Sequence, residues 1–209
     1  MRTSKRPATD DVREAILNVA ETRLLRFGYH KTTMAEIADD VGMSAANLYR
    51  YFENKQDIVA ECASRMMDER LERLRAITND AEYTPAQKLV QYALELVDDS
   101  HALVQSDSMV GELVDTITRE RPTLLHTKNE MHYALIGEIL SAGVASGDFA
   151  TSDIEQSARH IHSALTLFDV PLFVGFYDRE EFNQRAIGVA NLIIDGLRWQ
   201  STAQNNFNI

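Results

Sequence analysis

The 209-residue sequence contains very little cysteine, proline and glycine. Cys62 is its one cysteine, beside 4 prolines and 9 glycines. One cysteine cannot form a disulfide framework within the chain, which favours a reducing compartment and predicts a cytoplasmic protein. The few prolines and glycines stand near predicted segment ends, which favours long helices over a β-protein with many turns.

Long apolar runs are scarce as well. No run approaches the roughly 18 residues that a membrane-spanning helix needs, so no membrane partner is expected. The N-terminal stretch MRTSKRPATDD is basic, but no uninterrupted apolar segment follows it, so it is not typical of a signal peptide. Hydrophobic residues nevertheless make up 44% of the chain, enough to bury a core and to argue against extensive disorder.

Common enzyme motifs are also missing. The sequence has no G-x-S-x-G, no P-loop and no dinucleotide-binding glycine pattern, and no cofactor is expected. His160 and His162 are two residues apart and would diverge on a helix, which makes them a poor metal pair. His126 and Glu130 are four apart and could share a metal ion. A small all-α metalloenzyme is therefore an alternative, and bound zinc would favour it.

Charge is distributed unevenly along the chain, whose net charge is −11. Residues 1–55 contain nine Lys/Arg and eight Asp/Glu, whereas the remaining residues contain twelve and twenty-four. Such an asymmetry suggests two parts with different roles. The near-neutral N-terminal part can still hold a phosphate if its few cations share one face.

Helix-start patterns recur throughout. The capping-box spacing S/T-x-x-E/Q occurs at 33–36, 84–87 and 152–155. Together with apolar residues at helical spacing, these patterns predict an all-α fold of about nine helices. The predicted ranges are 10–27, 33–40, 44–51, 54–77, 84–101, 108–120, 122–144, 153–172 and 179–199.

The segment from 33 to 55 has the spacing of a helix-turn-helix. Gly42 can supply the positive φ that a tight turn between two short helices needs. Leu48 and Phe52 are predicted to face inward, while the outer faces carry Ala45, Ala46, Asn47, Tyr49, Arg50 and Tyr51. These residue types suit a recognition helix in a DNA major groove, with Lys55 holding a phosphate at the start of the next helix. An ordinary solvated surface helix is the alternative.

The stretch FGYHKTTMAEIADDVGMSAANLYRYFENKQDIVAE, residues 27–61, resembles the DNA-binding domain of the tetracycline-repressor (TetR) family. The matching positions are Phe27-Gly28, Thr33, Ile37-Ala38, Gly42, Ser44, Leu48-Tyr49, Phe52 and Lys55. The resemblance implies that Thr33 and Ser44 cap helices and touch phosphate. It implies base contacts from Ala45, Ala46, Asn47 and Arg50, and DNA-backbone contacts from Tyr49, Tyr51 and Lys55. Glu53 departs from the family pattern, in which a basic or small residue is common.

The rest of the chain matches no motif, and the resemblance alone implies its roles. These are an all-α ligand-binding domain and a dimer interface formed by the last two helices. The expected interface residues are Ile154, Ala158, Ile161, Leu165, Ile187, Ala190, Ile194 and Leu197. The expected pocket residues are Cys62, Met66, Tyr92, Met109, Leu113, His126, Met131, His162 and Phe168, with His101, Glu112 and Arg159 as further polar candidates. Each would also fit an ordinary core or surface position.

The predicted organisation is a helix-turn-helix domain over 1–55, a ligand-binding and dimerisation domain over 56–200, and a flexible tail over 201–209. The predicted protein is a homodimeric, ligand-responsive regulator, a repressor that binds a palindromic operator in double-stranded DNA and is released by a small apolar effector. A helix-turn-helix dimer that has lost DNA binding and binds only partner proteins is the second alternative. Weak affinity that is independent of DNA sequence would indicate it.

Overall fold

The computed structural model describes residues 9–106 and 110–206. In those ranges it has nine α-helices, one 3-10 helix and no β-strand, which confirms the predicted all-α fold. The α-helices are α1 (Thr9–Phe27), α2 (Met34–Val41), α3 (Ala45–Leu48), α4 (Lys55–Asn79), α5 (Pro85–Ser106), α6 (Val110–Glu120), α7 (Pro122–Ser146), α8 (Ile154–Asp169) and α9 (Arg179–Asn206). The 3-10 helix, Pro171–Phe176, comes between α8 and α9.

The chain forms two compact units. The first unit contains the described residues up to Met67, together with α6 and the start of α7 as far as Leu125. The second unit contains Asp68–Gln105 and the described residues from His126 onward. This division differs from the predicted one at residue 55, because the first half of α4 and the sequence-distant α6 both contribute to the core of the first unit.

Each unit has its own apolar core. In the first unit, Ile37 of α2 and Leu48 of α3 are fully buried, and Ile117 of α6 joins them. The core of the second unit includes the fully buried aromatic rings of Phe168 and Phe182. The helix-turn-helix therefore lies in the unit with the smaller core.

Most helix starts follow the capping patterns of the sequence. The capping boxes at 33–36 and 84–87 are confirmed, since in each the side chains and backbone N–H groups bond reciprocally. The box predicted at 152–155 is wrong by one position. Asp153 rather than Ser152 caps α8, and its carboxylate accepts a hydrogen bond from the Gln156 N–H at 2.9 Å. A carboxylate is among the best N-cap groups, and this one competes successfully with its neighbour's hydroxyl.

Two predicted helix ends are displaced. The helix predicted over 153–172 is too long, because Pro171 holds Val170 in an extended conformation (φ −102°, ψ 115°) and α8 ends at Asp169. Leu172, the last residue of the predicted helix, lies instead on the 3-10 helix and is exposed. α9 continues to Asn206, into the predicted tail, and residues 207–209 lie outside the described part. Among the described residues, no helix combines the length and apolar character needed to cross a membrane.

Candidate nucleic-acid interface

A glycine turn connects α2 to α3. Gly42 adopts the left-handed conformation (φ 79°, ψ 34°), and its N–H is donated to the carbonyls of Ala38 and Asp39. A Cβ at this position would meet no other atom within 4 Å, so the backbone conformation and not space calls for glycine. Ser44 then caps α3 by accepting a hydrogen bond from the Asn47 N–H at 3.2 Å. The turn and the cap together set where α3 begins.

The short helix α3 presents a polar outer surface. Leu48 and Phe52 are 0% and 3% exposed, as predicted, whereas Tyr49 is 54% exposed and Arg50 also faces solvent. An open surface depression beside α3 is lined by Gly42, Met43, Ser44, Ala46, Asn47 and Arg50. Three of the four residues expected to face bases therefore share one surface.

The other expected DNA contacts differ in accessibility. Thr33 and Ser44 are exposed, although both hydroxyls already serve as helix caps. Ala45 and Tyr51 are partly buried and pack against the core of the first unit. Of the two tyrosines, Tyr49 is the one with a largely accessible ring.

Lys55 makes structural contacts within the first unit. Its Nζ donates to the carbonyl oxygens of Tyr29 and Thr32, each at 2.7 Å, and lies 3.9 Å from the centre of the Tyr29 ring. Burial lowers the pKa of the Lys55 ammonium group, and nearby carboxylates, Glu112 first, act in the opposite direction. These contacts hold the ammonium group against the loop before α2, and the phosphate contact expected of Lys55 stays a prediction.

Two arginines of α1, which the sequence analysis did not single out, hold the helix-turn-helix together. Arg13 donates from Nη1 to the carbonyl oxygen of Tyr51 at 2.6 Å, and its guanidinium carbon lies 4.2 Å from the centre of the Phe52 ring. Arg23 pairs with Asp40 of α2 at 2.6 Å. The Arg13–Tyr51 contact spans 38 residues, so no local pattern could have revealed it.

Comparison with protein families identifies both parts of the chain. Residues 16–62 match the family described as "Bacterial regulatory proteins, tetR family", and residues 85–190 match "Tetracyclin repressor-like, C-terminal domain". The chain belongs to the TetR family. It is a transcriptional regulator of that family, whose members are DNA-binding regulators rather than enzymes.

Relatives and solved structures agree with this assignment. The HTH-type transcriptional repressor KstR2 of Rhodococcus jostii (strain RHA1) is 29% identical over 164 residues, which are 74% of this chain and 79% of KstR2. The HTH-type transcriptional regulator RutR of Escherichia coli (strain K12) is 26% identical over 210 residues, covering 94% of this chain and 95% of RutR. The crystal structure of RolR in complex with the ligand resorcinol has a TM-score of 0.63 at 15% identity and covers 92% of this chain and 91% of RolR, a likeness of fold.

The expected pocket residues are distributed over the two units. Cys62 and Leu113 contribute to the first unit, where Cys62 is buried and burial raises the pKa of its thiol to about 12. Tyr92, His162 and Phe168 are buried in the second unit. Met131 and His126 are exposed, Met66 is partly buried, and Met109 lies outside the described residues. That these residues line one pocket stays a prediction.

Two of the further polar candidates have local partners. Glu112 accepts a hydrogen bond from the backbone N–H of Tyr29 at 2.8 Å, within the first unit. His101 is 7% exposed, and its ring packs edge-on against Phe182 with 5.9 Å between ring centres. Burial lowers the pKa of His101, so its ring is neutral at pH 7. Both residues therefore have structural surroundings of their own.

The suggested metal pair on α7 is replaced by an ion pair. Both carboxylate oxygens of Glu130 contact Arg159, at 3.0 and 3.2 Å. His126 is largely exposed, and its Nε2 is 4.0 Å from Glu130. Because Arg159 engages both carboxylate oxygens of Glu130, the geometry does not support a metal site at this pair.

A buried polar cluster in the second unit joins two expected pocket residues, Tyr92 and His162, to residues that no sequence motif indicated. The Tyr92 hydroxyl lies 2.6 Å from Nδ1 of His132, whose ring centre is 5.0 Å from that of His162. Nε2 of His162 is 4.0 Å from Oδ2 of Asp169, and Nη1 of Arg70 is 2.8 Å from Oδ1 of the same carboxylate. Burial lowers the pKa of His132 to about 4 and also lowers that of His162, so both imidazoles are neutral at pH 7. The one local signal was the spacing of seven between His162 and Asp169, which places both on one face of α8.

The residues expected at the dimer interface are mostly core residues. Six of them are buried within the second unit: Ala158, Ile161, Leu165, Ala190, Ile194 and Leu197. Ile154 and Ile187 are partly buried. Their own chain already encloses these six side chains, and the expected interface stays a prediction. The large exposed apolar residues of α9 are instead Leu192 (74%) and Trp199 (72%), seven residues apart.

Proposed function

We propose that this TetR-family protein is a homodimeric repressor that binds a palindromic operator and is released by a small-molecule effector. The observation that carries the DNA-binding part is the surface formed by Ala46, Asn47 and Arg50, on a helix anchored by the buried Leu48. An asparagine amide can bond an adenine edge in two places, and an arginine can do so with guanine or reach a phosphate. Among the described residues Arg50 has no ion-pair partner, so its charge is available to DNA.

Few side chains on the outer surface of α3 can read the DNA sequence by hydrogen bonds to bases. Ala46 is exposed and small, which suits a close approach of α3 and contact with a thymine methyl group. Asn47 and Arg50 are then the two side chains that can distinguish bases by hydrogen bonds. The remaining discrimination comes from DNA shape and deformability.

The dimer is proposed to form through the outer face of α9. Leu192 and Trp199 are exposed there, and Gly188 and Gly196 lie four residues on either side of Leu192. A Cβ at either glycine would meet no atom within 4 Å, so both positions leave room for a second helix to approach. Two-fold pairing places the recognition helices about one DNA turn apart, roughly 34–36 Å.

The effector is proposed to be a small apolar or aromatic molecule that binds the second unit. This assignment is supported by the match of residues 85–190 to the tetracyclin repressor-like C-terminal domain and by the resorcinol bound to RolR. A ligand that moves a two-state population from 1:99 to 99:1 needs about 5.5 kcal/mol of differential affinity. A thermal-shift screen with small phenols and fatty acids tests the assignment, since a ligand raises the melting temperature of the state that it binds.

The decisive experiment is a selection of random duplex DNA by the purified protein at low and at moderate salt. We expect a palindrome with fixed half-site spacing at both salt concentrations, because base contacts persist when counterions screen the phosphates. Enrichment of no motif, with binding that vanishes as salt rises, would refute operator recognition. That outcome would favour a helix-turn-helix dimer that binds partner proteins.

A further inference from the structure

We propose that the second unit binds one divalent first-row transition-metal ion through His132 of α7 and His162 and Asp169 of α8. Each of the three residues offers one ligand atom, and these atoms all lie within 4.8 Å of one another. His132 and His162 are 1% and 6% exposed, and the Asp169 side chain is 14% exposed. The three groups therefore form a buried set of metal-ligating atoms that nothing else in the proposed function uses.

The distances are close to those of an occupied site. Zinc bonds to imidazole nitrogen and carboxylate oxygen are about 2.0–2.2 Å, so two ligand atoms on a tetrahedral ion are roughly 3.3–3.5 Å apart. Nε2 of His162 is 4.0 Å from Oδ2 of Asp169. Since the three ligand atoms lie within 4.8 Å of one another, inward rotation of the side chains is needed to bring them to bonding distance.

An unpartnered nitrogen points to a ligand. Nε2 of His162 is buried and has no hydrogen-bond partner among the described residues. Buried polar atoms are rarely left unpaired, because they lose their hydration without gaining a replacement. A metal ion between His162 and Asp169 would satisfy this nitrogen directly.

The surrounding contacts orient the ligands. His132 is held through its Nδ1 by the Tyr92 hydroxyl at 2.6 Å, the type of outer contact that fixes ring orientation in metal sites. Arg70 holds Oδ1 of Asp169 at 2.8 Å, which leaves Oδ2 facing His162. The charge of Arg70 is shared with Asp99, 3.4 Å away, so Asp169 keeps part of its negative charge for a cation.

The ligand set defines the class of ion. Two imidazoles and one carboxylate suit zinc, cobalt, nickel or copper better than magnesium or calcium, which prefer oxygen ligands throughout. Three protein ligands leave a coordination position for water. Because the site joins α7 to α8 inside one unit, the bound ion would stabilise that unit against unfolding.

The test uses the purified full-length protein, stripped with a chelator and then titrated with Zn²⁺ against a chromophoric competitor. We expect one ion per chain, and Co²⁺ should give the intense visible bands of a low-coordinate site. His162→Gln and Asp169→Asn should abolish stoichiometric binding, and Tyr92→Phe should weaken it about 10–100-fold, as the loss of an outer contact does elsewhere. His160→Gln is the matched control, because His160 is exposed on the same helix and should leave the affinity unchanged.

Circular dichroism checks that each variant folds. If the buried variants do not fold, the cobalt spectrum of the unaltered protein and the Tyr92→Phe affinity decide the question. No saturable binding at micromolar Zn²⁺, or a weak octahedral cobalt spectrum, would overturn the proposal. Equal losses in His160→Gln and His162→Gln would overturn it too. DNA is absent throughout, so this result is independent of operator recognition.

Discussion

The carboxylate of Glu112 on α6 accepts a hydrogen bond from the backbone N–H of Tyr29, 83 residues earlier in the chain, at an N···O distance of 2.8 Å. Its other oxygen lies 3.3 Å from the backbone nitrogen of His30. Tyr29 in turn supplies a carbonyl and a ring face to Lys55. One carboxylate of α6 thus helps to hold the loop that precedes the helix-turn-helix.

We expect Glu112→Ala to lower the free energy of unfolding by about 1–2 kcal/mol, because two backbone donors lose a charged acceptor that water replaces only in part. Asp115→Ala is the matched control, since Asp115 is an exposed residue of the same helix and its ion pair in the described part of the chain is with the nearby Arg119. Its effect should stay within about 0.5 kcal/mol. Urea denaturation measures the free energy of unfolding of both variants. Equal losses in the two variants would contradict the role assigned to Glu112.

Asn47→Ala should weaken binding to the selected operator by about 1–3 kcal/mol and relax base choice at one position of each half-site. Its affinity for non-specific DNA should change little, because the lost contact is to a base. Asn191→Ala on the exposed part of α9 is the control and should bind operator normally. Fluorescence anisotropy with operator and scrambled duplexes measures the ratio of the two affinities. A uniform loss on both duplexes would show that Asn47 contacts the DNA backbone.

Lys55→Ala should destabilise the first unit rather than alter the salt dependence of DNA binding. The substitution leaves two carbonyl oxygens without their ammonium donor, at a cost of about 1–3 kcal/mol in the free energy of unfolding. The slope of log affinity against log salt should remain that of the unaltered protein. Arg50→Ala provides the contrast, since its exposed cation should change the slope by about 0.9 if it contacts a phosphate. A reduced slope of log affinity against log salt in Lys55→Ala would instead support the phosphate contact that the position of Lys55 in the family pattern implies.

Leu192→Asp should raise the dimer dissociation constant about 10–100-fold, because an exposed leucine whose burial is worth about 1.5–3 kcal/mol becomes a charge. Val104→Asp is the control: it replaces an exposed apolar residue of α5. Sedimentation equilibrium reports the constants, and circular dichroism verifies folding. A monomer at micromolar concentration in the unaltered protein would refute the dimer itself.

The features that the sequence predicted correctly depend on contacts between residues that are close together in the chain. The capping boxes at 33–36 and 84–87, the glycine turn at Gly42 and the inward direction of Leu48 all follow from residues within a few positions of one another. Pro171 was a local signal too, yet the predicted helix ran past it. The apolar stripes located the helices correctly, but a stripe shows only that a face is buried. Ala190 and Ile194 therefore looked like interface residues although their own unit encloses them.

The sequence by itself determined an all-α chain with a helix-turn-helix near its N-terminus, because helix periodicity, caps and turn glycines act over one or two turns of helix. Tertiary structure alone decided the uses of Lys55, Arg13 and Glu112, whose partners lie 23 to 83 residues away. It also brought His132 on α7 beside His162 on α8. Their meeting depends on how two helices pack in a three-dimensional core, which no spacing along either helix encodes.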